Sequence, residues 1–192
     1  MPHSLYILKD WRSFASLPKH TFVKLFTAFV RPHLEYGQPI WSPHLRKYIK
    51  LIEDVQIRAT KLIDGFGKME YYERLKKLKL PTLAYRRLRG DMIETYKHFH
   101  KYDSSILPPS FCPRNRPSRA HKFQIIPVRP LDGERGVHKN SFYCRVIDKW
   151  SSLPSDVVDA PSINAFKNRL DNHWKDLLFN YDHVEGQEDE EE

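Results

Sequence analysis

The sequence predicts a mainly α-helical protein: a helical bundle, a proline-rich loop with at most a short edge strand or hairpin, and a C-terminal helical pair. Three observations predict this fold class. Apolar residues recur at alternating spacings of three and four along most of the chain. Residues typical of helix caps flank these stretches. Prolines, which interrupt helices, cluster in the loop and at the helix ends.

Residues 42–65 carry the clearest helix pattern. Ser42 is the candidate N-cap, Pro43 fits the first helical position, and Gly65 fits the residue beyond the end. The predicted apolar stripe consists of Leu45, Tyr48, Ile49, Ile52, Val55, Ala59, Leu62 and Ile63. The predicted basic face consists of Arg46, Lys47, Lys50, Arg58 and Lys61, with Asp54 among them. One face therefore suits a core, and the other suits water or a polyanion.

A second helix is predicted over 18–36, where Phe22, Leu25, Phe26, Phe29 and Val30 keep helical spacing. Pro32 should kink or end it near Arg31, because proline removes a backbone donor and clashes with the preceding turn. Residues 37–43 then form a bent connection, in which Trp41 is expected to pack between the two helices.

Two further helices are predicted, at 70–79 and at 83–102, the second with Thr82 as its cap. The apolar face of the longer helix consists of Tyr85, Leu88, Met92, Tyr96 and Phe99. Its basic face consists of Arg86, Arg87, Lys97, His98 and Lys101, with Asp91 and Glu94 interspersed. Gly90 lies on the polar side and costs the helix about 1 kcal/mol relative to Ala. We interpret it as a point where another backbone approaches closely.

The rest of the chain is predicted as a loop, two helices and a tail. A short strand is expected at 121–129, Asn140 caps a helix through Ser151, and Ser162 caps a last helix to about residue 178. The predicted segments are 1–17, without a clear pattern; 18–103, a helical domain; 104–139, the proline-rich loop; 140–180, a helical extension; and 181–192, a disordered acidic tail.

The formal charge of +8 hides an uneven distribution of charge. Residues 182–192 hold seven of the 24 acidic residues and no Lys or Arg, so residues 1–181 carry 32 basic against 17 acidic residues. A body of such positive charge predicts an anionic partner, most simply nucleic acid. Proteins of this kind need not be enzymes.

The chain shows no sign of export or membrane insertion. Cys112 and Cys144 form no metal-binding pattern or disulfide framework; two reduced thiols are expected, with one disulfide between them as the alternative. No signal peptide and no apolar stretch of about 20 residues is present. These features predict a soluble intracellular protein, nuclear or cytoplasmic and not secreted.

We find no catalytic or metal-binding motif in the sequence. His98 and His100 are two residues apart in a predicted helix, so they point in different directions and are not expected to bind one metal. No aspartate pair follows a predicted strand, as two-metal polymerase chemistry would need. We therefore expect no catalysis by this chain alone, no cofactor, metal or small-molecule ligand, and no membrane contact.

If the apolar stripes of the two long helices share one core, their basic faces point outward and contact phosphates. The predicted nucleic-acid-binding residues are Arg46, Lys47, Lys50, Arg58, Lys61, Arg86, Arg87 and Lys97. Tyr71 and Tyr72 either stack on a base or sugar or are partly buried; the sequence leaves both readings open.

Four blocks of the chain resemble one protein family. They are FVRPHLEYGQPIWSPHLRKYIKLIEDVQIRATKLI, YYERLKKLKLPTLAYRRLRGDMIETYK, SFYCRVIDKWSSLP and APSINAFKNRLDNHW, in that order within about residues 18 to 175. They are similar to the region after the palm in reverse transcriptases of non-LTR, LINE-type retrotransposons, with jockey-like elements as the closest kin. The resemblance implies a helical thumb and a C-terminal extension that grip a template–primer duplex of RNA or DNA.

The palm of that family contains an aspartate pair, typically F/Y-A-D-D, which this chain lacks. The resemblance therefore implies a fragment of an RNA-directed DNA polymerase that cannot polymerise alone. Alternatives are a non-catalytic protein-interaction module, with an apolar patch lined by Phe22, Phe26 or Trp41, and a non-functional remnant of an element. No particular protein partner is implied.

Overall fold

A computed structural model describes residues 18–100, 123, 125 and 141–180 of the chain. This part is mainly α-helical, as predicted, and none of its residues lies in a β-strand. Its helices are α1 (Lys19–Leu25), α2 (Arg31–Glu35), α3 (Gln38–Trp41), α4 (Arg46–Lys61), α5 (Tyr71–Leu78), α6 (Leu83–Phe99), α7 (Phe142–Ser151), α8 (Ser155–Val158) and α9 (Ile163–His173), with a π turn at Phe26–Val30 and a 3-10 helix at Lys175–Leu177.

Some of the predictions fall on other parts of the chain. The segment 1–17, the strand at 121–129 apart from Phe123 and Ile125, the Asn140 cap and the tail at 181–192 lie outside the described residues. The same holds for Lys101 and Cys112.

The chain divides into two compact units that interleave in sequence. The first comprises Met1–Gly37, Pro43–Arg86 and Asp176–Glu192, and the second comprises Gln38–Ser42 and Arg87–Lys175. The apolar residues of the two long helices are divided accordingly. Ala59 of α4 and Ile63, which follows the helix, belong to the core of the first unit, whereas Met92 and Tyr96 of α6 are buried in the second.

The core of the first unit joins α1, the π turn, α4 and α5. Its buried apolar residues are Phe22, Phe26, Val30, Ala59, Ile63, Phe66, Leu75, Leu78 and Leu80. The rings of Phe22 and Phe26 stack with centroids 5.8 Å apart, and both side chains are buried. Burying a Phe side chain contributes about 1.5–3 kcal/mol. These two residues therefore do not line the exposed apolar patch that the protein-interaction alternative required, although Trp41 is 41% exposed.

Pro32 does not end the first helix. Helical backbone continues through it to Glu35, and a π turn at Phe26–Val30 lies immediately before it. The Arg31 N–H donates to the Phe26 carbonyl, five residues earlier. A wider turn at this point accommodates a ring that would otherwise clash with the preceding turn. Of the two predicted outcomes, a kink or a helix end near Arg31, the helix end is wrong; the irregularity at this place is a π turn.

α4 begins later than predicted, and the side of the helix that is buried differs in part from the predicted apolar stripe. Leu45 takes the N-cap position, and the Ser42 N–H instead donates to the Gln38 carbonyl. Tyr48, expected in the apolar stripe, is 49% exposed. The buried residues of the helix are Ile49, Glu53, Gln56, Ala59 and Thr60. Ile49, Ala59 and Ile63 of the predicted stripe are buried, and Val55 and Leu62 pack against the core, but a polar stripe unexpectedly faces the interior as well.

Hydrogen bonds satisfy most of that buried polar stripe, although Gln56 Oε1 has no partner among the described residues. The Thr60 hydroxyl donates to the Gln56 carbonyl at 2.9 Å, and the Gln56 amide donates to the Pro81 carbonyl at 3.0 Å. Glu53, which is fully buried, accepts hydrogen bonds from the first turn of α6. Buried polar groups are tolerated when they are paired in this way.

The second unit packs α7, α8 and α9 with α6 around aromatic rings. Trp150, Phe166 and Leu170 are fully buried, and the Tyr96 hydroxyl donates to the Ala160 carbonyl at 2.6 Å. The Ala165 N–H donates to the Ser162 hydroxyl at 3.2 Å, which confirms the predicted cap of the last helix.

Gly90 of α6 lies against the side chain of Gln38. A Cβ at position 90 would stand 3.0 Å from Gln38 Oε1 and 3.2 Å from Nε2. The Gln38 amide also donates to the Arg87 carbonyl and to Asp91 Oδ1. The expected close approach at Gly90 is therefore present, but the neighbour is a side chain rather than another backbone.

Candidate nucleic-acid interface

The five basic residues predicted on α4 are all exposed. At 100° per residue, Arg46, Lys47, Lys50, Arg58 and Lys61 fall within an arc of about 120° on the helix surface. The buried residues of α4 lie on the other side of the helix. We call this set of five side chains the basic arc. It arises because the core contacts of α4 leave this side to solvent.

The charges of the basic arc are only partly balanced by the described residues. Among the described residues, Lys50, Arg58 and Lys61 have no carboxylate within salt-bridge distance. Asp54, half-buried, lies at an angle inside the same arc but makes no ion pair with its neighbours there. The arc therefore keeps a net positive charge facing solvent, which attracts anions.

The basic residues predicted on α6 are placed differently. Arg86 forms a bidentate ion pair with Glu35, in which Nη2 lies 2.8 Å from Oε2. Arg31 Nε lies 3.8 Å from Oε1 of the same carboxylate. Burial and the nearby Arg86 lower the pKa of Arg31. Arg87 is 4% exposed. These arginines are engaged with the protein itself.

The remaining cations of α6 are matched by carboxylates as well. Lys97 Nζ lies 3.0 Å from Glu94, one turn earlier in the helix. Arg89, at the flank of the predicted basic face, forms a two-pronged pair with Asp171 at 2.6 and 2.8 Å. Arg86 and Arg87 therefore do not belong to the outward cationic stripe expected of α6, because Arg86 is paired with Glu35 and Arg87 is buried. The side chain of Lys97 is 36% exposed and lies at the surface beside Glu94.

Asp91, which lies among the basic residues of α6 in the sequence, is buried and paired within the second unit. Its carboxylate accepts hydrogen bonds from Arg145 at 2.8 and 3.1 Å and from Gln38 at 3.1 Å. Burial raises the pKa of Asp91, while Arg145 and Gln38 act in the opposite direction. The Arg145 guanidinium also donates to the Pro39 carbonyl at 3.0 Å. A charged network of the second unit thus occupies positions that helical spacing alone assigns to solvent.

The two tyrosines at the start of α5 have different environments. The Tyr71 hydroxyl donates to Glu53 and accepts a hydrogen bond from the Gln56 amide at 2.9 Å. Burial, together with the Glu53 charge, raises the pKa of Tyr71. Tyr72 is 46% exposed, and Lys76 Nζ lies 4.3 Å from its ring centroid. Partial burial therefore applies to Tyr71, and only Tyr72 is available to a ligand.

Glu53 positions the start of α6, and the sequence pattern did not identify this role. Its carboxylate accepts from the Leu83 N–H at 3.1 Å and from the Ala84 N–H at 3.0 Å. The Thr82 hydroxyl accepts from the Tyr85 N–H at 3.1 Å, which confirms the predicted cap. A carboxylate at a helix N-terminus satisfies free N–H groups and interacts favourably with the helix dipole. The sequence contained one indication of this role: Glu53 lies four residues after the buried Ile49, on the same side of the helix.

The described residues contain no cluster of three or more His, Cys, Asp or Glu side chains that could hold a metal ion. Across the same residues, no helix combines the length and the apolar character needed to cross a bilayer. No family model, curated protein or solved structure matches this chain.

Proposed function

We propose that this chain binds nucleic acid through the basic arc of α4, as part of the region after the palm of a non-LTR retrotransposon reverse transcriptase. The observation that supports binding is the arc itself: five exposed cations on one side of a helix whose opposite side is buried. The assignment to a reverse transcriptase rests on the resemblance of the four sequence blocks. In this role the chain grips the template–primer duplex and does not polymerise alone.

The proposed contacts are to phosphates, and the proposed binding is indifferent to base sequence. Lysine and arginine side chains on a helix surface neutralise backbone charge and release condensed counterions. Contacts of this type position a protein on a duplex without reading its bases. Asp54 reduces the field of the arc, so moderate affinity is expected.

The test measures anisotropy of labelled duplexes of about 20 base pairs, DNA and RNA–DNA, between about 50 and 200 mM salt. The variant carries Lys50→Gln, Arg58→Gln and Lys61→Gln. Each lost phosphate contact reduces the log–log salt slope by about 0.9, so the triple variant should lose up to about 2.7.

The matched control carries Lys24→Gln, Lys68→Gln and Lys175→Gln, which remove the same charge from exposed positions outside α4. We expect its salt slope to stay close to that of the unmodified chain. Affinity that does not depend on salt, or equal losses in both triple variants, would contradict the proposal.

A further inference from the structure

Two exposed tyrosines of the first unit each have a lysine ammonium over the ring. Tyr48 of α4 is 49% exposed, and Lys47 Nζ lies 5.4 Å from its ring centroid. Tyr72 of α5 is 46% exposed, with Lys76 Nζ at 4.3 Å. The same combination of an open aromatic ring and an adjacent cation therefore occurs on two helices.

These rings are not anchored in the way that the interior tyrosines are. Tyr71 and Tyr96 use their hydroxyls to bind Glu53 and the Ala160 carbonyl. Within the described residues, the hydroxyls of Tyr48 and Tyr72 have no hydrogen-bond partner. The fold thus buries and bonds Tyr71 and Tyr96 and leaves Tyr48 and Tyr72 on the surface, where Tyr36 also lies, 84% exposed.

An adjacent lysine is not a general property of exposed aromatic residues here. Phe29 is 68% exposed, yet no basic side chain of the described residues lies over its ring. On α4, the exposed Leu51 lies about 60° around the helix from Tyr48 and extends the apolar surface there. The two Tyr–Lys pairs are therefore distinct local features.

A nucleotide matches both parts of such a pair. Its base stacks on an aromatic ring, and its phosphate is attracted to the nearby ammonium. The bases inside a duplex are already stacked on both faces, so only unpaired bases or duplex ends can use an aromatic ring in this way. The pair thus selects for the single-stranded state of the nucleic acid.

We propose that Tyr48 with Lys47 and Tyr72 with Lys76 are stacking sites for the unpaired bases of single-stranded nucleic acid. This inference rests on the proposed function, and it adds that the chain distinguishes unpaired from paired nucleotides. The two are compatible, because a template–primer carries an unpaired template extension beside its duplex. The basic arc contacts phosphates, whereas the two tyrosines contact bases.

The experiment compares two labelled strands of about 20 nucleotides, an oligothymidine and an abasic strand with the same number of phosphates. The unmodified chain should bind oligothymidine more tightly than the abasic strand. Tyr48→Ala and Tyr72→Ala should each weaken oligothymidine binding by at least about fivefold and leave abasic binding unchanged.

Three controls separate stacking from other causes. Tyr48→Phe and Tyr72→Phe keep the ring and should keep the affinity. Phe29→Ala removes an exposed ring of similar size without an adjacent lysine and should have no effect. Because all of these positions are exposed, circular dichroism should show the same helix content in every variant.

The outcomes distinguish failure of this inference from failure of the proposed function. Equal, salt-dependent binding of both strands overturns the stacking sites and leaves phosphate binding intact. A loss in Phe29→Ala as large as that in the tyrosine variants also overturns them. Absence of any salt-dependent binding to either strand or to the duplexes overturns both proposals.

Discussion

At the scale of single residues, Glu53 has the most demanding environment in the first unit. Its side chain is fully buried, and it accepts hydrogen bonds from the Leu83 and Ala84 N–H groups and from the Tyr71 hydroxyl. A buried carboxylate without such partners would be strongly unfavourable. The stability of the first unit therefore depends on a complete set of donors around one acidic group.

We expect Glu53→Ala to lower the free energy of unfolding by about 2–4 kcal/mol, because three donors lose their acceptor. Glu53→Gln keeps one acceptor oxygen and should cost less, about 1–2 kcal/mol. Urea unfolding followed by circular dichroism measures both values. Glu73→Ala, at an exposed acidic position of α5, is the control and should change stability by less than about 0.5 kcal/mol. Equal effects of Glu53→Ala and Glu73→Ala would contradict the hydrogen bonding described.

Tyr71 makes stability depend on alkaline pH. Burial, then Glu53, raises its pKa above the ordinary value of 10.0, so the folded chain retains a proton that the unfolded chain releases. The stabilisation is complete below pH 10.0 and is lost as the pH rises above it. We expect Tyr71→Phe to reduce this loss by up to about 1.4 kcal/mol per pH unit.

Urea unfolding between about pH 9 and 11 measures that slope. The control is Tyr72→Phe, which removes a hydroxyl from the exposed neighbouring ring. If the two variants share one slope, the raised pKa of the Tyr71 hydroxyl has no role in alkaline sensitivity.

Residues whose role depends on nearby sequence were the predictable ones. Thr82 and Ser162 act as caps within three residues of their partners, and the sequence predicts both. Glu53 acts on Leu83, 30 residues away, so no local pattern reveals its partner. Arg86 was assigned to the surface for the same reason, since Glu35 lies 51 residues earlier.

At the scale of elements, α4 was predicted at nearly the right place in the chain, but its buried face was partly predicted wrongly. Its existence and its basic residues were predicted, but its interior side contains Glu53, Gln56 and Thr60. Apolar periodicity assigns a helix face on the assumption that buried positions are apolar. That assumption fails where neighbouring segments supply hydrogen bonds, as Pro81 does for Gln56.

The contact between Gly90 of α6 and Gln38 limits which residue position 90 can hold. Replacing a helical Gly by Ala stabilises an open helix by about 1 kcal/mol. Here the new Cβ would lie 3.0 Å from Gln38 Oε1, whose side chain is held by Asp91. We therefore expect Gly90→Ala to destabilise the chain or leave its stability unchanged. In a Gln38→Ala background, the same substitution should raise the free energy of unfolding by about 1 kcal/mol.

The four proteins of this double-mutant cycle are compared by urea unfolding. A coupling energy of at least about 1 kcal/mol between positions 38 and 90 is expected. Additive effects would show that Gln38 does not oppose a larger residue than glycine at position 90.

At the scale of the whole molecule, charge is distributed less simply than composition indicates. The sequence carries a net +8, yet the arginines of α6 face carboxylates or the interior while the basic arc of α4 faces solvent. Helix content and most helix bounds follow from local spacing, so the fold class was predictable. Which cations remain exposed depends on contacts between distant segments, so the exposed basic side chains were correctly predicted on α4 but not for Arg86 and Arg87 of α6.

Because Glu53 anchors α4, the stability of the fold and its affinity for an anion depend on different residues. The hydrogen bonds of Glu53 and Gln56 fix how α4 is turned within the first unit, and Lys50, Arg58 and Lys61 of the basic arc take no part in them. The direction in which these three cations point is thus determined by uncharged and acidic groups inside the fold. Substitutions of these three residues can therefore change ligand affinity while the folded state keeps its thermodynamic stability, and the two traits are free to evolve separately.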